Sequence, residues 1–116
     1  MNSLSFKQGD IVVATLLFSE QIGAKKRPAL VISNSSYNAV SEDLILLKIT
    51  SNLKKTGYDV ILAGKDVLDG KLKAESLIMV DNPVTTYKQL IERKVGRITE
   101  QKLNEVKQKI KQFYAL

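Results

Sequence analysis

The sequence predicts a mainly β fold, a compact barrel or curled sheet, that ends in one helix. Two observations carry this. The first two thirds of the chain holds a succession of short apolar runs, each bounded by Gly, Asn, Asp, Ser or Pro. The end of the chain switches to a period of 3.6, with Leu103, Val106, Ile110 and Phe113 on one stripe. Runs of strands followed by a single helix argue against βαβ units and for an α+β arrangement built on a small barrel.

The first run, Asp10 to Phe18, follows Gly9 and is rich in Ile, Val and Leu. The second, Pro28 to Ser33, enters from a polar segment, Ser19 to Lys26, read as a loop. Leu44 to Ile49, Tyr58 to Leu62 and Ser76 to Val80 give three more. Asn82 to Leu90 reads as a loop with one helical turn, and Arg93 to Ile98 as a short basic strand. The helix starts after Thr99, a good N-cap, with Glu100 where the helix dipole favours an acid. Ile98 and Leu103 occupy the positions of a hydrophobic staple. Lys102, Lys107, Lys109 and Lys111 are expected on its solvated face.

At 116 residues the chain has room for one domain, 1–116, and 44% apolar residues supply its core. Cys and His are both absent. This excludes disulfides, thiolate nucleophiles and Cys-ligated zinc, and removes the commonest general base and metal ligand. The acids are scattered, so neither a metal nor another cofactor is expected. The net charge of +6 favours polyanionic partners, although it also serves solubility. No apolar run approaches a bilayer span, and the N-terminus lacks a signal-peptide core, so no membrane association is expected and the cytoplasm is the default.

Two segments carry candidate chemistry. Lys25-Lys26-Arg27-Pro28 places three cations at a strand entrance, and Pro28 biases Arg27 toward extended backbone. A guanidinium grips phosphate through a planar fork. In the second segment, Thr50, Ser51 and Asn52 follow at a strand end, flanked by Lys48, Lys54 and Lys55. Their hydroxyl and amide groups can hold a phosphate oxygen, or can simply make a turn.

Together these segments resemble the MazF/PemK family, the toxins of type II toxin–antitoxin pairs. Gly9-Asp10-Ile11-Val12 looks like the family's first strand, and Ser19-Glu20-Gln21 like its following loop. Lys26-Arg27-Pro28-Ala29-Leu30-Val31-Ile32-Ser33 is similar to its most recognisable segment. Lys48-Ile49-Thr50-Ser51-Asn52 resembles the strand end that carries its threonine. Leu72-Lys73-Ala74-Glu75-Ser76 and Lys94-Val95-Gly96-Arg97-Ile98-Thr99 fit later blocks. The resemblance runs from about Lys7 to Phe113. It departs at Ile22 with its neighbouring extra cations, and at Ala74-Glu75, where many members have a proline-containing pair.

The resemblance implies a small SH3-like barrel of five to seven strands, MazF/PemK/CcdB-like, working as a homodimer. The implied activity is endoribonuclease cleavage of single-stranded RNA, messenger or transfer, without a metal. The implied partner is an acidic antitoxin with a disordered tail. Arg27 and Thr50 carry over as catalytic residues, with Glu20 and Gln21 in the loop at the substrate groove and Ser76 beside it. Arginine holds its proton near neutral pH and is a poor base, so Glu20 or water is expected to take the proton. Lys25, Lys26, Lys54 and Lys55 are expected to steer and hold phosphates, with Ser51 and Asn52 at the same groove. Two alternatives stay open: a CcdB-like gyrase-directed toxin, and a non-catalytic nucleic-acid-binding barrel. The latter has little stacking surface, with four Tyr, three Phe and no Trp.

Overall fold

The structure, a computed structural model, describes residues 5–17, 24–54 and 56–116. The strands are β1 (Asp10–Leu17), β2 (Ala24–Val31), β3 (Asp43–Thr50), β4 (Asp59–Leu62), β5 (Val67–Leu68), β6 (Ser76–Tyr87) and β7 (Ile91–Ile98). A short helix α1 (Ser35–Val40) joins β2 to β3, and α2 (Glu100–Tyr114) follows β7. The strands form one sheet in the order β4-β6-β3-β2-β1-β7-β5, every pair antiparallel, curled into a nearly closed barrel. The predicted mainly β fold with a C-terminal helix is what the chain adopts.

Two apolar clusters divide the sheet's faces. Ile11, Leu30, Leu47, Ile49, Val60, Leu62, Val67, Ile78, Val80 and Ile98 come from all seven strands and meet Val106 of α2. This is the inside of the barrel. The second cluster gathers Phe6, Val12, Ala14, Leu16, Ala29, Val31, Leu44, Leu46 and Ile91. These side chains alternate with the first set along β1, β2 and β3, so they form a second buried layer on the opposite, outer face of the sheet.

The helix seals the inside, lying against β4 and β6. Thr99 caps it as expected, its hydroxyl oxygen accepting from Lys102 N at 3.2 Å. Val106 is fully buried, and Leu103 and Ile110 pack on the inner cluster. Phe113 closes the end, its ring edge-on to Tyr58 with centroids 5.1 Å apart. Lys102 departs from the expected solvated face. Its side chain is 13% exposed, with its ammonium 2.8 Å from Glu105 and 3.8 Å from Asp66. The Asp66 carbonyl also accepts from Thr99 N, so the turn before β5 fastens the start of α2.

Several boundaries differ from the sequence expectation. β2 begins at Ala24, so Lys25, Lys26 and Arg27 lie within the strand and not in a loop. Its pairing with β1 runs to Leu17↔Ala24, and that ladder holds a polar stretch extended. β6 continues through Asn82 and Pro83 to Tyr87, where a loop was expected. A register shift on β3 between Leu47 and Ile49 marks a bulge, and Pro83 pairs at its edge, where a missing N–H is tolerated. The expected helical turn survives only as a 3-10 turn, Lys88–Leu90. β7 begins two residues earlier than read, at Ile91. The short β5 is held because Gly70 and Gly96 let the chain approach closely. A Cβ on Gly70 would stand 1.7 Å from the Val95 carbonyl oxygen.

Candidate functional site at the β2–β3 strand ends

The site follows from register. β2 and β3 pair as Ala29↔Lys48, Leu30↔Leu47 and Val31↔Leu46. The paired ladder ends at Ala29 and Lys48, and Arg27 on β2 and Thr50 on β3 each lie two residues past that last pair, on the line the same register would continue. Alternation then fixes the face. Ala29 and Val31 belong to the outer cluster, as do Leu44 and Leu46, so Arg27 and Thr50 share that outer face. The row extends on both sides. Ala14 pairs with Arg27 and Ile91 with Ala14, while Leu77 pairs with Thr50 and Ile61 with Leu77. A cation and a hydroxyl thus sit side by side in an otherwise apolar row.

Arg27 is half-buried, and its Nη1 donates to the Lys26 carbonyl at 3.2 Å. Ala14, its neighbour on β1, is small and fully buried, which leaves the arginine stem room on the sheet. Thr50 ends β3, half-buried. Its hydroxyl oxygen accepts from Asn52 N at 3.1 Å, and the Asn52 side-chain oxygen Oδ1 accepts from Lys54 N at 3.1 Å. The turn chemistry therefore serves the site as well. With the Thr50 oxygen held as an acceptor, its proton is directed to another group.

The remaining expected residues separate. Lys25, opposite Leu16, has the same parity as Arg27 and lies on its face. Lys26, opposite Thr15, points to the other side of the strand, with its ammonium 2.6 Å from Glu92 Oε1. That hydrogen bond, and then the charge of Lys26, hold the Glu92 carboxyl below the ordinary carboxylate range. Ser51, Asn52 and Lys54 are exposed on the turn after Thr50. Ser76 is buried on the inner parity of β6, and its hydroxyl donates to the Ala74 carbonyl at 3.0 Å. The structure does not bring it to the Arg27–Thr50 row. Glu20, Gln21 and Lys55 lie outside the described residues.

One residue on this face escaped the sequence reading. Lys48 stands two residues before Thr50, with the same parity, and is 9% exposed. Its signal was a lone charge inside the apolar run Leu44–Ile49, overlooked because it read as a flank of the turn.

Several solved structures share this architecture. An endoribonuclease from a mycobacterial species superposes with a TM-score of 0.78 at 18% identity, covering 97% of this chain and 94% of its own. The Mycobacterium tuberculosis toxin MazF-mt6 gives 0.76 at 18%, covering 92% and 97%. MazF in a MazE–MazF complex from Deinococcus radiodurans gives 0.77 at 22%, covering 97% and 99%. At these identities the likeness defines the fold class, a MazF-type barrel. No curated protein matches the sequence. The family model for PemK-like, MazF-like toxins of type II toxin–antitoxin systems matches residues 7–114, and the chain belongs to that family.

Proposed function

We propose that this protein is a toxin that cleaves single-stranded RNA, messenger or transfer, without a metal ion. The observation that supports the proposal is that Arg27 on β2 and Thr50 on β3 have the same parity on two paired strands, each two residues past the paired positions Ala29 and Lys48.

The chemistry suits a chain without Cys or His. The substrate supplies its own nucleophile. The 2′-oxygen attacks the adjacent phosphorus, the bond from phosphorus to the 5′-oxygen breaks, and the products are a 2′,3′-cyclic phosphate and a 5′-hydroxyl. Negative charge gathers on the non-bridging oxygens in the transition state. Arg27 stabilises it electrostatically, and Thr50 donates its hydroxyl proton to the same oxygens. Charge fixed in place beforehand is commonly the largest catalytic term. The 2′-hydroxyl proton goes to Glu20 or to water, since arginine holds its own proton near neutral pH and is a poor base, and the departing 5′-oxygen takes a proton from water to become the 5′-hydroxyl. Lys25, on the Arg27 face, holds backbone phosphate, with Lys54 beyond the turn.

Partners follow the same reasoning. The Deinococcus toxin is solved with MazE, and a mycobacterial endoribonuclease is solved with its cognate antitoxin. An acidic antitoxin segment would suit the basic outer face, and the protein would act as a homodimer in the cytoplasm.

The test uses purified protein in EDTA with a single-stranded RNA and its uniformly 2′-O-methylated counterpart. The RNA is cut to cyclic-phosphate ends, the methylated strand is bound and stays intact, and Arg27→Ala slows cutting by about 10²–10³. Cleavage of the methylated strand would refute the mechanism. Inhibition of gyrase, or RNA bound but uncut, would point instead to one of the other two classes.

A further inference from the structure

β4 forms one end of the sheet. It pairs with β6 alone, while the strand at the other end, β5, is only two residues long. Antiparallel pairs alternate between bonded and non-bonded positions. Val80 N donates to the Tyr58 carbonyl at 3.1 Å, so Tyr58 and Val80 are a bonded pair and, by alternation, so are Val60–Ile78 and Leu62–Ser76. Asp59 and Ile61 take the intervening positions, and their N–H and C=O groups point away from β6. Among the described residues neither makes a backbone hydrogen bond outside the sheet. Such an edge is a template for another strand, and folded proteins commonly blunt it with lysine or proline. β4, Asp-Val-Ile-Leu, carries neither. Its one charge, Asp59, is tied back at the start of the strand, where its carboxylate accepts from Thr56 N and from the Thr56 hydroxyl at 3.1 Å.

The side chains along this edge are apolar on both sides. Ile61 is exposed on the outer parity. On the inner parity Tyr58 meets Phe113, and Phe113 meets Tyr114 with centroids 5.0 Å apart, all three rings being exposed. Lys107, Lys111 and Tyr114 follow one another along a single line of α2, and the segment from Val106 to Tyr114 holds lysines at 107, 109 and 111 and no acid. We propose that β4 is a docking edge for an extended, acidic peptide segment of a partner protein, which adds to the sheet as a further strand. Its backbone pairs with Asp59 and Ile61. Its alternate apolar side chains cover Ile61 on one side and the three rings on the other, and its acids meet the α2 lysines. The open backbone groups favour a peptide over RNA, which has no matching ladder of donors and acceptors. An acidic antitoxin tail has this chemistry, so the inference rests on that partner reading and names its attachment point. β4 lies two strands from Thr50, about 10 Å, so a docked segment borders the candidate site without using Arg27 or Thr50.

The experiment selects binders to the wild-type protein from a display library of short random peptides, and measures a selected synthetic peptide by titration and by amide hydrogen exchange. The selected set should be rich in Asp and Glu, with apolar residues at every second position. The complex should newly protect the Asp59 and Ile61 amides. Ile61→Pro removes an outward N–H and leaves the ladder to β6 intact, so it should weaken binding about two- to tenfold. Ile61→Glu, at an exposed position, should weaken it at least as much, and carries the comparison if the proline variant does not fold. A library that yields no binder, selected peptides without acids or alternation, protection elsewhere than β4, or wild-type affinity in Ile61→Glu each overturns the inference. So does protection of Asp59 and Ile61 that grows with protein concentration alone, which assigns the edge to a second copy, or that a methylated RNA produces in place of the peptide. Wild-type protein that binds the peptide at β4 but does not cut RNA brings down the ribonuclease reading and leaves this inference standing.

Discussion

The two faces of β2 and β3 divide the work of the molecule. On the inside, Leu30, Leu47 and Ile49 are buried and meet Val106 of α2. On the outside, the same strands carry Arg27, Lys48 and Thr50 between small or apolar neighbours. Neither face is built from a separate segment. Strand alternation sends each successive residue to the other side, so structure and proposed chemistry are interleaved in the sequence. Lys25, Lys26 and Arg27 show this most clearly. They are consecutive, yet Lys25 and Arg27 share the outer face while Lys26 turns away to pair with Glu92.

The largest effect should come from breaking the outer face alone. Arg27→Ala is expected to slow RNA cleavage by about 10²–10³, the range for removing one donor to a developing oxyanion. Its unfolding midpoint should shift little, because a half-buried charged side chain outside both apolar clusters carries little of the core. Single-turnover cleavage and thermal unfolding, measured on the same preparation, check both statements. A variant that loses stability as well as activity would erase the distinction between the faces.

The inner face should respond in the opposite sense. Val106 is fully buried where α2 meets the barrel. Val106→Ala is expected to destabilise the fold by about 2 kcal/mol, from lost burial plus the space left behind. Cleavage per folded molecule should stay at the wild-type rate. Denaturant unfolding gives the first quantity, and active-site-normalised kinetics give the second. Loss of specific activity at full folding would show that the helix-covered core shapes the site after all.

This division also explains what was legible in the sequence. Apolar period revealed the inner face, because Ile11, Leu30, Ile49 and Val60 sit in short runs that read as strands, and Val106 sits on a helical stripe. Arg27 and Thr50 were legible through family resemblance, and their cross-strand placement required the register. The polar start of β2 was not legible, since Lys25 and Lys26 have no apolar alternation and are held by pairing with β1. The second half of β6 was hidden by Asn82 and Pro83, which a bulge accommodates. Helix α1 had too few residues for a period. It is fixed by Asn34, which accepts from Tyr37 N at 2.8 Å, and by buried Asn38, which accepts from Ser33 Oγ and donates to the Phe6 carbonyl. Ser76 was carried to the groove by its sequence block, and parity puts it on the inner side.

A smaller effect tests how the inner face is fastened. Thr99 caps α2 while its own N–H donates to the Asp66 carbonyl. Thr99→Ala removes the cap and should cost about 1 kcal/mol. Thr99→Ser retains a hydroxyl oxygen and should recover most of it. Hydrogen exchange should localise the loss to the first turn of α2. Protection lost evenly across the barrel would mean that the cap acts on the whole fold.

The smallest effect concerns the cation that turns away. Lys26 and Glu92 are both substantially exposed, so their pair should add little to stability and weaken further in salt. Its direction with pH is nevertheless defined. The Glu92 carboxyl is held below its ordinary range, first by the hydrogen bond from Lys26 and then by its charge. A lowered carboxylate contributes above its unfolded-state value, and that contribution disappears as pH falls through the folded value. In Lys26→Met the Glu92 titration, followed by NMR, should therefore move up to the ordinary carboxylate range. Glu92→Gln should leave Tm at neutral pH nearly unchanged. If Lys26 is held out of the groove by this carboxylate, Glu92→Gln should also strengthen binding of the methylated strand slightly at low salt, and Lys26→Met on top should remove that gain. Unchanged binding in Glu92→Gln would place Lys26 apart from the RNA path and leave Lys25 and Arg27 as the cations of β2 on the outer face.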